Sequence, residues 1–336
     1  MKPAAPLIFA VSVLTCLTAM ILGLAHGSTD IELADILSSL TPHLSQGPPP
    51  PLTQEIVWNL RLPRVCVAAL VGASLGVSGA ALQGLFRNPL ADPYVLGIAS
   101  GGAFGASIIL WLSAAAGIAV GLTPLGALIG AVVAAAVVFG ASQKARGLSL
   151  NTVLLAGVAV GLVFSALLSL VLVMAGRQAG DILGWLLGSL SGQSWSQAGW
   201  ISMTTLIGLS LILTQSNALD AFLMGEEAAA GVGVDLKKVK VTVLGASVIL
   251  VAGAVAFCGL IGFVGLIVPH MVRRWTGPGH KWCLLTSTFG GAALLVAADL
   301  ISRLLVPERE LPVGVITGCL GGPFFLFLLI RGERHA

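Results

Sequence analysis

The sequence predicts an all-α protein that crosses a membrane many times. Of its 336 residues, 57% are apolar and only 9% are charged, and the mean hydropathy is +1.00. A soluble domain usually carries about 25% charged residues, and no soluble fold has enough interior for so much apolar surface. The 43 glycines suit helices that pack closely in a bilayer. We therefore interpret residues 1–336 as one transmembrane domain.

Ten membrane-crossing helices are predicted from the uncharged stretches, because a crossing needs about 20 apolar residues. The first stretch, residues 3–29, is interpreted as a retained helix, and a cleaved signal peptide is the alternative. Residues 182–195 are rich in Trp, Gly and Ser and suit a partly buried interfacial segment. The ten segments lie near residues 5–25, 64–84, 94–114, 122–142, 152–174, 196–214, 241–257, 261–273, 282–303 and 312–330.

The uncharged stretch 241–272 needs a separate argument, because as a helix it spans about 48 Å, less than the roughly 60 Å of two full crossings. Lys237, Lys238 and Lys240 precede it, and Arg273 and Arg274 follow it. Two crossings keep both basic clusters on one side of the membrane, as expected for cytoplasmic loops. We therefore predict a full helix followed by a short or broken one that contains Pro269.

The distribution of basic residues predicts that both termini lie in the cytoplasm. Of the 17 Lys and Arg residues, Arg61, Arg64, Arg177, Arg303 and Arg309 fall outside in this topology, which leaves twelve inside. Cytoplasmic loops carry such an excess of Lys and Arg.

The longest external loop is predicted at residues 26–60, on the periplasmic side. Thr29–Glu32 has the sequence of a capping box, and the apolar spacing after it predicts a short helix on the membrane surface. Residues 46–51 form a proline-rich stretch that predicts a stiff polyproline spacer.

The main cytoplasmic loop is predicted at residues 215–240. Its middle, Asp220–Ala230, mixes acidic and small residues with methionine and predicts one or two short helices. Composition leaves two interpretations open, a solvated loop or a helix that docks into a cytoplasmic partner.

Three predicted helices carry small residues at every fourth position, which lets backbones approach closely. Each stripe of small residues either packs within the subunit or faces a partner subunit or the transport pathway. The stripes are Gly72, Gly76, Ala80 and Gly84; Gly97, Gly101 and Gly105; and Gly314, Gly318 and Gly322.

Enzymatic and metal-binding chemistry have no recognisable motif in this sequence. It has no GxxxxGK[ST] motif for ATP, its five cysteines form no CxxC pair, and its histidines lack metal-ligand spacing. We therefore expect no enzyme, no metal site and no cofactor in this chain. Ionisable residues are nearly absent from the predicted helices, which disfavours an ion-coupled secondary transporter. Asp299 and Arg303 are four residues apart and could pair on one helix face.

Several sequence blocks, in order along nearly the whole chain, resemble the FecCD-type permease family. Members of this family are membrane subunits of ABC importers for iron-siderophores, haem and cobalamin. The blocks are RLPRVCVAALVGASLGVSGAALQGLFRNPLADPYVLGIASGGAFGA (61–106), LLAGVAVG (154–161), GEEAAAGVGV (225–234), GLIGFVGLIVPHMVR (259–273), ADLISRLL (298–305) and ELPVGVITGCLGGPFF (310–325).

The resemblance implies a type II ABC importer permease fold with ten transmembrane helices, in the bacterial inner membrane. It implies a second permease subunit, with a homodimer expected, and a pathway at the centre of the dimer. It also implies two cytoplasmic ABC ATPase subunits that bind ATP-Mg, and a periplasmic substrate-binding protein; no nucleic acid is expected. A ferric siderophore is the first choice of cargo, and haem or cobalamin is the alternative.

The resemblance also assigns roles to individual residues. Arg61, Arg64 and Arg303 correspond to arginines that dock the binding protein, although interfacial snorkelling would also place them at the periplasmic face. At that face we expect them to reach water, headgroups or the carboxylates of a partner.

Two further groups correspond to the cytoplasmic gate and to the contact with the ATPase. Ordinary loop capping is the alternative role for the gate residues. The gate residues are Asn88 and Leu90, in the NPLADP motif, and Ser149, Leu150 and Asn151. The coupling residues are Gly225, Glu226, Glu227 and Gly231.

Overall fold

The computed structural model describes residues 5–27, 31–40, 51–117, 119–146, 148–306 and 309–332. Within these residues the chain folds into helices joined by turns, with no β-strand. In chain order the helices are α1 (Ala5–Ala25), α2 (Leu33–Leu40), α3 (Pro51–Glu55), α4 (Leu62–Leu85), α5 (Ile98–Ala116), α6 (Thr123–Arg146), α7 (Leu150–Ala175), α8 (Ala179–Leu186), α9 (Trp195–Thr214), α10 (Ser216–Phe222), α11 (Glu226–Gly231), α12 (Leu236–Cys258), α13 (Val264–Thr276), α14 (His280–Leu304) and α15 (Val313–Gly332).

The ten predicted crossings correspond to α1, α4, α5, α6, α7, α9, α12, α13, α14 and α15. Among the described residues, seven helical stretches are long and apolar enough to cross a membrane, and parts of α5 and α15 form shorter apolar helices. The short α13 supplies the tenth segment. The prediction of an all-α polytopic fold is therefore confirmed.

The centre of the fold is the pair formed by α4 and α14. Nearly every residue of α4 is buried. At Gly72 an added Cβ would lie less than 3.0 Å from the Gly291 carbonyl oxygen, and at Gly76 less than 3.0 Å from that of Ser287. The two backbones therefore touch, and the small-residue stripe on α4 packs within the subunit as predicted.

The connection between α12 and α13 is non-helical from Gly259 to Phe263, and both of these residues have positive φ angles. Tyr94 compensates for the lost helical hydrogen bonds. Its hydroxyl donates to the Ile261 carbonyl (2.9 Å) and accepts from the Ile261 amide (3.0 Å). Irregular backbone inside a membrane protein requires such internal partners, and the predicted short helix with Pro269 inside it is confirmed.

The segment that leads into α4 differs from the prediction. Helix α2 confirms the predicted short helix, but Pro51 begins α3, and a π-helical turn, Ile56–Arg61, joins α3 to α4. Proline is well tolerated in a first helical turn, where no intrahelical donor is lost. Helical structure therefore begins 13 residues before the predicted start at residue 64. Thr29 and Asp30 of the predicted capping box, and residues 46–50 of the proline-rich stretch, lie outside the described residues.

Two predicted segments lie outside the main crossings. The segment predicted to be interfacial overlaps α8, and the turn after α8 is tied to the end of α12 by a hydrogen bond from the Ser189 amide to the Cys258 carbonyl (2.9 Å). The predicted cytoplasmic loop contains two short helices, α10 and α11, as expected, and their residues Leu219, Phe222 and Ala229 are fully buried. This loop is thus packed onto the membrane domain.

Candidate functional site

Arg64 lies at the centre of a charged cluster near the start of α4. Its guanidinium contacts the Asp299 carboxylate through Nε (3.0 Å) and Nη2 (2.9 Å). Its Nη1 donates to both carboxylate oxygens of Glu310 at 2.9 Å. The planar guanidinium therefore binds two carboxylates at once, a geometry that lysine lacks.

Arg303 shares the same aspartate. Its Nε lies 3.1 Å from Oδ2 of Asp299, which confirms the predicted pairing of these two residues on one face of α14. Asp299 is fully buried, with a charged partner on each side. A buried carboxylate is tolerated only with such pairing.

Arg303 and Arg61 also bind the end of α1. Arg303 donates through Nη1 to the His26 carbonyl (2.9 Å) and through Nη2 to that of Gly23 (3.0 Å). Arg61 donates through Nη1 to the carbonyls of Leu24 (2.7 Å) and Ala25 (3.0 Å). These are the carbonyls that a helix C-terminus leaves without intrahelical partners, and cations are stabilising there.

The three arginines therefore have partners inside their own chain, which the sequence analysis identified only for Arg303 with Asp299, and docking of a binding protein here stays a prediction. Arg61 is 6% exposed and Arg303 is 8% exposed. The physical reason is that the C-terminal ends of α1 and α14 meet the start of α4, so carbonyls and carboxylates lie within reach of the arginines. The sequence could not show this, because Arg64 and Glu310 are 246 residues apart.

The cluster borders a polar cleft of about 310 Å³. Three arginines and one glutamate line it, together with residues 191–193 from the turn after α8. With Asp299 beneath them, the three arginines face two carboxylates, which leaves one positive charge in excess. Burial raises the pKa of Glu310, but the hydrogen bond and charge of Arg64 outweigh it and hold this pKa below its ordinary value. The cleft suits an acidic side chain.

The predicted gate residues fall in two segments, one in the loop after α4 and one at the start of α7. Asn88 accepts a hydrogen bond from the Leu90 amide through Oδ1 (2.9 Å), so it caps its own turn. Leu90 is 36% exposed, and its loop continues to Val95, whose carbonyl packs against Gly157 of α7. The chain after α4 therefore lies against the first turns of α7.

The second gate segment begins α7. The Ser149 carbonyl accepts from the Val153 amide (3.0 Å), and the Ser149 side chain makes no capping hydrogen bond. Leu150 is half-buried against the core, whereas Asn151 is exposed. A role in closing a pathway between two subunits stays a prediction for both segments.

The predicted coupling residues lie on and beside α11. Gly225 precedes the helix with a φ of 106°, a conformation that side chains rarely adopt. Glu226 forms an ion pair with the buried Lys240 of α12, a partner that the sequence analysis did not identify. Glu227 and Gly231 are exposed. Of the two acids, Glu227 is thus the one that faces outward.

Exposed apolar side chains lie within five residues of Glu227 along the chain. Met224 is 68% exposed, Val232 is 67% exposed, and Leu223 is also exposed. Exposed large apolar side chains on one loop form the kind of patch that protein partners cover.

No group of three or more His, Cys, Asp or Glu residues that could hold a metal ion occurs in the part of the chain that the structure describes. The five cysteines are free thiols.

Comparison with known sequences gives a match to the FecCD transport family over residues 14–331. The cobalamin import system permease protein BtuC of Halobacterium salinarum is 41% identical, over 85% of this chain and 76% of its own. The hemin transport system permease protein HmuU of Yersinia pestis is 40% identical, over 84% and 86%. The iron(3+)-hydroxamate import system permease protein FhuB of Bacillus subtilis is 35% identical, over 96% and 82%.

A solved structure, described as a metal-chelate type ABC transporter in an inward-facing conformation, has the same fold. It superposes with a TM-score of 0.86 at 30% identity and covers 97% of this chain and 99% of its own. The family match spans nearly the whole chain, and the helices that it spans are those of a multi-pass membrane permease. This chain is a member of the FecCD transport family of ABC importer permeases.

Proposed function

We propose that this chain carries a metal chelate, with a ferric siderophore as the first choice, across the bacterial inner membrane into the cytoplasm. The observation that carries the proposal is the family match over residues 14–331. A relative named for iron(3+)-hydroxamate import aligns with 96% of this chain, which favours a siderophore. Haem and cobalamin remain alternatives, because relatives named for each are 40% and 41% identical.

In this proposal the energy comes from two ABC ATPase subunits that dock on α11 and bind ATP-Mg. The sequence has no P-loop of its own. Glu227 and the apolar patch of Leu223, Met224 and Val232 supply the exposed contact surface. Since α10 and α11 pack on the membrane domain, a movement of the ATPase that displaces these helices also displaces the domain.

A second copy of this chain completes the pathway in the proposed assembly. Helix α7 leaves many of its apolar side chains exposed, including Leu155, Leu162 and Val173. In the dimer, such faces line a weakly polar passage or contact lipid. Asn88 and Leu90, with Ser149, Leu150 and Asn151, would close its cytoplasmic end.

The periplasmic substrate-binding protein docks, in this proposal, on the cluster of Arg61, Arg64 and Arg303. Arg64 now holds Glu310, whose side chain is 43% exposed and lies on the loop after α14. An acidic residue of the binding protein would compete with Glu310 for Nη1 of Arg64. The excess positive charge of the cleft favours this partner and raises the association rate.

The test of docking is the affinity of the binding protein for the detergent-purified permease. Glu310→Gln removes the competing charge, so the dissociation constant should fall, by up to about fivefold if the exchanged ion pair contributes up to about 1 kcal/mol. Glu55→Gln is the matched control, because it makes the same charge change at an exposed residue of α3. Equal affinities in the two variants would contradict docking at this cluster.

The cargo is tested with the same binding protein. Its affinity for a ferric hydroxamate, haem and cobalamin should rank the ferric hydroxamate first. Preferential binding of haem or cobalamin would select an alternative cargo and leave the permease assignment intact.

A further inference from the structure

The helices α4 and α14 stay in contact along their whole length, and they run in opposite directions. Residues with higher numbers in α14 contact residues with lower numbers in α4, as in an antiparallel pair. The contacting pairs are Gly84 with His280, Gly76 with Ser287, Gly72 with Gly291, and Arg64 with Asp299. Because three of these contacts involve a glycine against a neighbour that leaves no room for a Cβ, the helices cannot slide past each other freely.

The arginine cluster sits at one end of this pair, and a second polar cluster sits at the other. His280 is the first residue of α14 and is fully buried. Oδ1 of Asp220, on α10, accepts two hydrogen bonds from it, from the backbone amide and from Nδ1, both at 2.7 Å. The carboxylate thus satisfies a free amide at a helix N-terminus, where negative charge is also stabilising.

The imidazole is fixed from its other side as well. Its Nε2 lies 3.4 Å from Nη1 of Arg273, and Nη2 of Arg273 donates to the Ala80 carbonyl of α4 (2.8 Å). Arginine can only donate, so Nε2 accepts, and Nδ1 carries the proton that it donates to Asp220. One chain of hydrogen bonds therefore joins α10 to α14, α13 and α4.

We infer that the α4–α14 pair is a rigid strut through which the cytoplasmic coupling loop and the periplasmic arginine cluster influence each other, with Asp220 as the positioning residue that ties the loop to the strut. This inference rests on the proposed function, since it assumes partners at both ends. A 25-residue helix is about 37 Å long, enough to reach across the roughly 30 Å hydrocarbon core. When the ATPase displaces α10, the hydrogen bonds from Asp220 move His280 with it. This displacement is transmitted along α14 to Asp299, because the contacts between α4 and α14 allow the two helices little independent movement.

The strut also passes beside the proposed gate. Gly84, which packs against His280, lies four residues before Asn88. A movement of α14 relative to α10 therefore acts on the end of α4 from which the gate loop emerges. The coupling between the two ends is reciprocal, because ATP binding and binding-protein docking are linked equilibria.

The experiment measures the dissociation constant of the binding protein from the assembled importer in nanodiscs, with and without a non-hydrolysable ATP analogue. In the unmodified importer the analogue should change this constant by a factor on the order of 5–150, as is typical of coupled sites. Asp220→Ala should reduce the factor to less than about twofold. Asn217→Ala is the matched control, because Asn217 is exposed on the same helix, and it should retain the full factor.

Asp220→Asn provides a second variant of nearly unchanged shape, which decides the matter if Asp220→Ala does not assemble. It keeps an acceptor oxygen but loses the charge, so an intermediate factor is expected. The inference would be overturned if Asp220→Ala kept the full effect of the ATP analogue on the dissociation constant. The same holds for Asp220→Asn if the alanine variant cannot be assembled. Equal reductions of this effect in Asp220→Ala and Asn217→Ala would also overturn it. If the unmodified importer shows no binding-protein complex or no response to the analogue, the proposed function fails instead.

Discussion

Gly72→Ala is the substitution that most directly perturbs the packing of α4 against α14. The added methyl group would lie less than 3.0 Å from the Gly291 carbonyl oxygen, whereas ordinary contacts lie at 3.4–4 Å. The nearest neighbours are backbone atoms of Gly291 and Ala292, so no side chain can rotate away, and the two helices must separate. Overpacking of this kind costs about 1–3 kcal/mol.

The measurement is the unfolding midpoint of the purified permease in detergent, by heat or by denaturant. Gly245→Ala is the matched control, because an added Cβ on α12 meets nothing within 4 Å. Replacing a helical glycine there should be neutral or stabilising by up to about 1 kcal/mol. Gly72→Ala should therefore unfold earlier than both the control and the unmodified protein. Equal midpoints for the two variants would refute the close packing of α4 on α14.

Three further predictions concern coupling, pH and topology. Glu227→Lys should weaken assembly with the ATPase or uncouple hydrolysis from uptake, because Glu227 is exposed beside the apolar patch; normal assembly and uptake would indicate a solvated loop. The pKa of Glu310 is lowered on folding, so its ion pair with Arg64 contributes stability above the ordinary value of 4.5 and loses it as the pH falls through the folded pKa. The stability difference between the unmodified protein and Glu310→Gln should therefore be constant from about pH 6 to 8 and close in acid; a difference that is independent of pH would contradict this pairing. Cysteines placed at positions 2 and 335, after removal of the native thiols, should resist a periplasm-restricted reagent, and labelling of either would contradict the predicted topology.

The crossings could be predicted from the sequence because lipid imposes one simple requirement, a long apolar helix with its backbone hydrogen bonds satisfied internally. Charge placement then separated α12 from α13, which hydropathy alone would have merged. The helical start at Pro51 was missed, because a proline-rich stretch favours extended structure until a following segment makes Pro51 the first residue of a helix.

The clusters were only partly predictable. Asp299 and Arg303 are four residues apart on one helix, so their pairing follows from helical periodicity. The pairs of Arg64 with Glu310, and of Asp220 with His280, join residues 246 and 60 positions apart, and only the packed helices bring them together. Lys240 is a similar case, because a lysine near a membrane boundary is expected to reach water, whereas here it is buried against Glu226.

In the proposed function, this permease imports its chelate only together with an ATPase and a binding protein. The most direct test is uptake of a ferric siderophore into proteoliposomes that contain the permease and the ATPase, with the loaded binding protein outside and ATP inside. Uptake should require all three proteins and ATP hydrolysis, and it should be indifferent to proton and sodium gradients. Uptake by the permease alone, driven by an ion gradient without the ATPase, would contradict the account.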